Sequence, residues 1–179
     1  MANLLTAVRL LLVIPVALAI ANAHLMMSWL LLALILIAIA SDYFDGKLAR
    51  ALHTASARGM LFDHGTDFVF VTTALFALST IDLAPPLLPL LIAVAFSQYV
   101  LDSYFLFKQK QLRMSFLGRW NGILYFVPIV FLATSRLPLL EDRQDLLNTA
   151  IIYFNYILVV STLASIFDRA IAPLRASEN

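Results

Sequence analysis

Six apolar stretches follow one another along the chain, each close to the roughly 20 residues needed to cross a bilayer, with short polar breaks between them. They cover residues 4 to 22, Ser28 to Leu48, Gly59 to Leu78, Leu87 to Phe107, Gly118 to Thr134 and Leu147 to Phe167. Pro85 and Pro86 stop the chain before the fourth stretch, and Ser135 to Gln144, with Pro138 inside it, reads as a polar connector. The pattern predicts an all-α polytopic membrane protein of six transmembrane helices, a single domain over residues 1 to 179 with no linker, low-complexity segment or internal repeat.

Composition agrees. Hydrophobic residues make up 62% of the chain and charged residues 13%, against about a quarter charged in soluble domains. The net charge is +1 and the basic residues are scattered, which gives no reason to expect a nucleic-acid partner. Cysteine is absent, which removes disulfides, thiolate nucleophiles and soft-metal sites from consideration. Leu10 to Ala21 has the length of a signal-peptide core, but no Lys or Arg precedes Arg9 and Pro15 interrupts the run, so it reads as the first membrane helix. Arg9 then sits near its cytosolic end, either as a snorkelling interfacial cation or as a contact to lipid phosphate.

Charge also sets orientation. With an even number of spans both termini share a side, and that side collects ten of the Lys and Arg residues, leaving only Arg136 and Arg143 opposite. The positive-inside bias puts both termini at the cytosolic face, together with the most polar part of the chain.

That part is Ser41 to Phe70, with four acids and three bases. On helices, Asp42 and Asp45 stand at i and i+3, Asp63 and Asp67 at i and i+4, so each pair projects from one face. Carboxylates gathered at that density repel one another and call for hard cations such as Mg²⁺ or Mn²⁺ with oxygen ligands. Gly46 and Gly59 allow close approach, and Arg50 offers a planar fork suited to phosphate. With the third helix entering at Gly59, a rise of about 1.5 Å per residue puts Asp63 roughly 6 Å and Asp67 roughly 12 Å into the helix. Acids at that depth require a cavity, here one open to both cytosol and lipid.

The spacing Asp42-x-x-Asp45-Gly46-x-x-Ala49-Arg50, then eight residues, then Gly59-x-x-x-Asp63-x-x-x-Asp67 resembles the signature of the CDP-alcohol phosphotransferase family. Asn3, Leu4, Leu5, Thr6 and Arg9 resemble the N-terminus of small bacterial members. The resemblance implies transfer of a CDP-linked phosphoryl group to an alcohol with release of CMP. It makes Asp42, Asp45 and Asp63 metal ligands, and Asp67 the general base as well as a metal contact. Arg50 would grip a phosphate, while Gly46, Ala49, Ser56 and Gly59 would shape the cytidine-diphosphate pocket. Ser56 is also readable as a loop or cap serine, and the two glycines as close helix packing. The family's homodimers make a dimer the expectation, and Gly118-x-x-x-Gly122 is a candidate contact. With no Cys and no evident Ser nucleophile, direct in-line attack is the natural route.

His64 departs from the pattern of small bacterial members. Phe62-Asp63-His64-Gly65 resembles choline and ethanolamine phosphotransferases instead, and His64 could assist proton transfer, orient the acceptor or simply bond an Asp. On the acceptor side, Ser97, Gln98, Asp102 and Ser103 lie on the fourth helix, followed by Lys108, Lys110 and Arg113. The Arg-Glu pair usual there in phosphatidylglycerophosphate synthases is missing, whereas Gly118-Arg119 resembles the Gly-Lys that opens their fifth helix. The preferred expectation is CDP-diacylglycerol as lipid donor, a small polar alcohol as acceptor (glycerol 3-phosphate first) and a bacterial inner membrane with a cytosolic active site. CDP-choline or CDP-ethanolamine with diacylglycerol is the alternative, and a cation channel or transporter the alternative of another class.

Overall fold

The computed structural model describes the backbone over 2–51, 57–101 and 116–176, and side chains over 6–44, 47, 59, 61–101 and 116–171. Seven α-helices are described: α1 (Ala2–Ala21), α2 (Ser28–Ala51), α3 (Ala57–Ser79), α4 (Leu87–Leu101), α5 (Phe116–Leu124), α6 (Phe126–Ser135) and α7 (Gln144–Ala176). No strand occurs among the described residues. Helices α5 and α6 occupy the fifth apolar stretch, with the helix broken at Tyr125. Pro128 accounts for the break, because it cannot donate to the carbonyl of Leu124 and its ring crowds that turn. The connector forms a 3₁₀ segment, Pro138–Arg143, opened by its proline.

Leu61–Ser79, Phe116–Ser135 and Pro138–Ile171 are long and apolar enough to cross a membrane, while Thr6–Ala21, Ser28–Phe44 and Leu87–Leu101 are shorter apolar helices. The surface is that of a membrane protein: Leu11, Ile14, Tyr153, Ile157, Val160 and Phe167 are each more than 60% exposed. Those on α7 recur at three-, four- and seven-residue spacings, the separations that share a helix face.

Helix α1 packs chiefly against α3 and α2, and α7 against α4, α5 and α6. Val16, Ile20, Ile35, Phe70, Leu75, Leu78 and Ile129 form the centre of the core, and Ala19, Ala38 and Ala74 let the backbones approach. Polar ties fix the arrangement. Arg136 donates from Nη1 to Ala19 O at 2.7 Å and from Nη2 to Ile20 O at 2.6 Å, meeting carbonyls that the end of α1 leaves without helical partners. The fully buried Asn155 donates from Nδ2 to Leu83 O at 2.8 Å, joining α7 to the α3–α4 turn. That turn closes with Asp82 at φ 60 and with Leu83 N donating to Leu78 O at 3.0 Å, the Schellman arrangement in which glycine is usual.

Candidate active site

Helix α1 packs against both α2 and α3, and the described acids of the motif gather along it. Asp63 and Asp67 stand one turn apart on α3, and Asp42 faces them from α2. A cation enters from α1. Arg9, with 0% of its side chain exposed, places Nη2 at 3.3 Å from Asp42 Oδ1 and Nη1 at 3.2 Å from Asp63 Oδ1. Its Nη1 also donates to Asp67 Oδ1. The snorkelling and lipid-phosphate readings of Arg9 therefore give way to a third arrangement, in which the guanidinium is buried and engaged by three site carboxylates.

Asp42, Asp63 and Asp67 keep 42%, 25% and 23% of their side chains exposed, enough for a ligand to reach them. Donor atoms of Asp63, His64 and Asp67 lie within 4.8 Å of one another, a group that could hold a metal ion. Among the described residues, three carboxyl groups face one guanidinium here, so the acids outnumber the cation. Hard oxygen donors and one imidazole fit a divalent cation such as Mg²⁺ or Mn²⁺.

The other motif positions are only partly placed. Asp45, Gly46, Ala49 and Arg50 continue α2, but their side chains lie outside the described residues, and Ser56 lies outside them altogether. Gly59 is exposed in the first turn of α3. Asp102, Ser103, Lys108, Lys110 and Arg113 also lie outside. A Cβ on Gly122 would meet nothing within 4 Å, so this glycine does not serve close packing within the chain.

A cavity of ≈ 410 Å³ opens beside the acids, lined by Asp42, His64 and Asp67 together with residues from α4 to α7. Its apolar wall includes Phe68 and Phe96, stacked at 4.3 Å between centroids. His64 meets Tyr99 edge-on at 6.3 Å. Arg119 and Arg169 line the same space, Arg169 lying 5.2 Å above the Tyr99 ring. Gln98 is there too, donating from Nε2 to Ile166 O at 3.3 Å, as is Asn121, whose Oδ1 accepts from Ser161 Oγ at 2.6 Å. Reading the sequence brought out Arg119 and Gln98 but treated Arg169 only as a cytosolic charge, and gave Asn121 no role. Membrane-embedded polar residues on α5 and α7 were the available signal.

Comparisons with curated proteins and with solved structures return no match. The profile of the family described as CDP-alcohol phosphatidyltransferase matches residues 1–166. It is a transferase family that moves a phosphatidyl group from a CDP-alcohol in phospholipid synthesis. The match runs from the arginine-bearing first helix through both acidic helices to α7, and the chain belongs to the CDP-alcohol phosphatidyltransferase family.

Proposed function

We propose that this chain, acting as one domain over residues 1–179, transfers the phosphatidyl group of CDP-diacylglycerol to a small polar alcohol, releasing CMP. The observation that carries this reading is the single cavity that joins Asp42, His64 and Asp67 to an aromatic and apolar wall. Such a space can take the charged part of a lipid-linked nucleotide while its acyl chains remain in hydrocarbon.

Asp67 lines the cavity with its carboxylate partly exposed, so an acceptor hydroxyl can reach it. It takes the hydroxyl proton as the oxygen attacks the phosphorus that carries diacylglycerol. The phosphoanhydride bond to CMP breaks, and the electron pair leaves on CMP. Asp42, Asp63 and Asp67, joined by Asp45 from the same motif, would hold the Mg²⁺ or Mn²⁺, with His64 as a further donor or as a partner to the acceptor. A bound dication supplies neutralisation of the pyrophosphate and of the departing CMP. Arg50 grips a donor phosphate, and Gly46, Ala49, Ser56 and Gly59 shape the nucleotide pocket.

Two cations in the cavity, Arg119 and Arg169, favour an anionic acceptor, which supports glycerol 3-phosphate as the first candidate. They disfavour the quaternary ammonium of CDP-choline, the reading that His64 would otherwise recommend. An ion path is not supported, because a transferase family accounts for the same intramembrane acids.

Incubation with CDP-diacylglycerol and a panel of glycerol 3-phosphate, inositol phosphate, inositol and serine, then with CDP-choline and diacylglycerol, separates these cases by product mass. Phosphatidylglycerophosphate in the first arm is the expected result. Product from the CDP-choline arm alone would overturn the assignment.

A further inference from the structure

The site holds one cation for which the proposed reaction has no use. Arg9 is wholly buried, and an arginine in a membrane helix is tolerated there only against counter-charges. Its counter-charges are Asp42 from α2 and Asp63 and Asp67 from α3, so one guanidinium bridges three helices. Asp63 and Asp67 also belong to the group whose donor atoms converge within 4.8 Å. The N–H bonds of Nη1 and a metal ion cannot use the same oxygen lone pairs at once. Nε and Nη2 of Arg9 find no hydrogen-bond partner among the described residues, so the side chain is held by charge more than by a complete set of donors. An incompletely bonded cation is easier to displace than one whose donors are all engaged.

We propose that Arg9 is the resident counter-ion of the acid cluster, holding Asp42, Asp63 and Asp67 together in the metal-free protein and competing with the divalent cation for the oxygens of Asp63 and Asp67. The competition rests on the metal reading above, whereas the counter-ion role stands on the ion pairs alone. Without Arg9, three partly buried carboxylates repel one another and splay α2 from α3 until a metal arrives. Arg9 is therefore a positioning residue, and its effect is visible without turnover.

The test uses full-length protein in detergent, stripped of metal, with thermal unfolding and a Mn²⁺ titration on wild type, Arg9→Lys, Arg9→Gln and the double variant Arg9→Gln, Asp42→Asn. Metal-free Arg9→Gln is expected to unfold about 5 °C or more below wild type, Arg9→Lys to fall between them, and the double variant to recover part of the loss. Mn²⁺ is expected to bind Arg9→Gln about tenfold tighter than wild type and to restore its melting temperature. Equal metal-free stability of Arg9→Gln and wild type, or a double variant no better than the single one, overturns the counter-ion role. Unchanged or weaker Mn²⁺ binding by Arg9→Gln overturns the competition. If Mn²⁺ binds neither protein, the metal reading fails, while the metal-free melting temperatures still decide on Arg9. Should Arg9→Gln fold only when purified with Mn²⁺, the proposal is supported. Failure of both it and the double variant under every condition makes Arg9 a packing residue and overturns it.

Discussion

In the proposed reaction the chemistry turns on Asp67, which lines the cavity and whose Oδ1 accepts from Arg9. Asparagine keeps the shape and cannot accept the hydroxyl proton. Asp67→Asn is expected to retain donor binding and to lose turnover by about 10² to 10⁴-fold, the usual worth of general-base assistance. Single-turnover assays with equilibrium donor binding check this, and more than about a tenth of wild-type activity would remove Asp67 from that role. The pairing of Asp63 with Asp67 was legible in the sequence because helix spacing alone puts them on one face. Arg9 was visible only as a charge, since its partners Asp63 and Asp67 lie 54 and 58 residues away. Which helix faces α1 is decided by packing of Val16, Ile20 and the small residues around them. No local pattern states it.

At the scale of elements, the six apolar stretches were legible from length and composition, and the described helices fall on them. The break at Tyr125 and the placement of α7 against α4 and α5 were not, because they depend on Pro128 and on buried polar ties such as Asn155 to Leu83. That tie is testable. Asn155→Leu removes the donor and leaves a buried carbonyl alone, with an expected cost of about 1 to 3 kcal/mol in unfolding free energy. The α3–α4 turn gives a contrasting case. Asp82 occupies φ 60, so Asp82→Gly is expected to be neutral or stabilising, whereas Asp82→Val loses about 1 to 2 kcal/mol. Thermal or denaturant unfolding in detergent reads all three variants. Arg136, clamped on Ala19 O and Ile20 O, lies about 15 Å along α1 from Arg9. It anchors the end of the helix that carries the counter-ion.

Among the described residues, many large apolar side chains face outward around a buried apolar core, while Asp42, Asp67, Arg119 and Arg169 line one cavity. The chain contains no cysteine, so single introduced cysteines report topology cleanly. Cysteines replacing Ala2 and Ser177 are expected to react with a membrane-impermeant maleimide only from the cytosolic side. Those replacing Ala23, Asp82 and Glu141 are expected to react only from the opposite side. Any reversal within either group contradicts six spans with cytosolic termini.

The central claim is metal-assisted phosphatidyl transfer at the acid cluster, and the most direct measurement follows both products in one assay. Wild-type protein with CDP-diacylglycerol and glycerol 3-phosphate is stripped with EDTA, then resupplied with Mg²⁺ or Mn²⁺, while CMP and the new lipid are quantified together. The account predicts no product in chelator, equal amounts of CMP and phosphatidylglycerophosphate once metal returns, and neither from Asp67→Asn at more than a trace. CMP and lipid formed at the full rate in EDTA would contradict it.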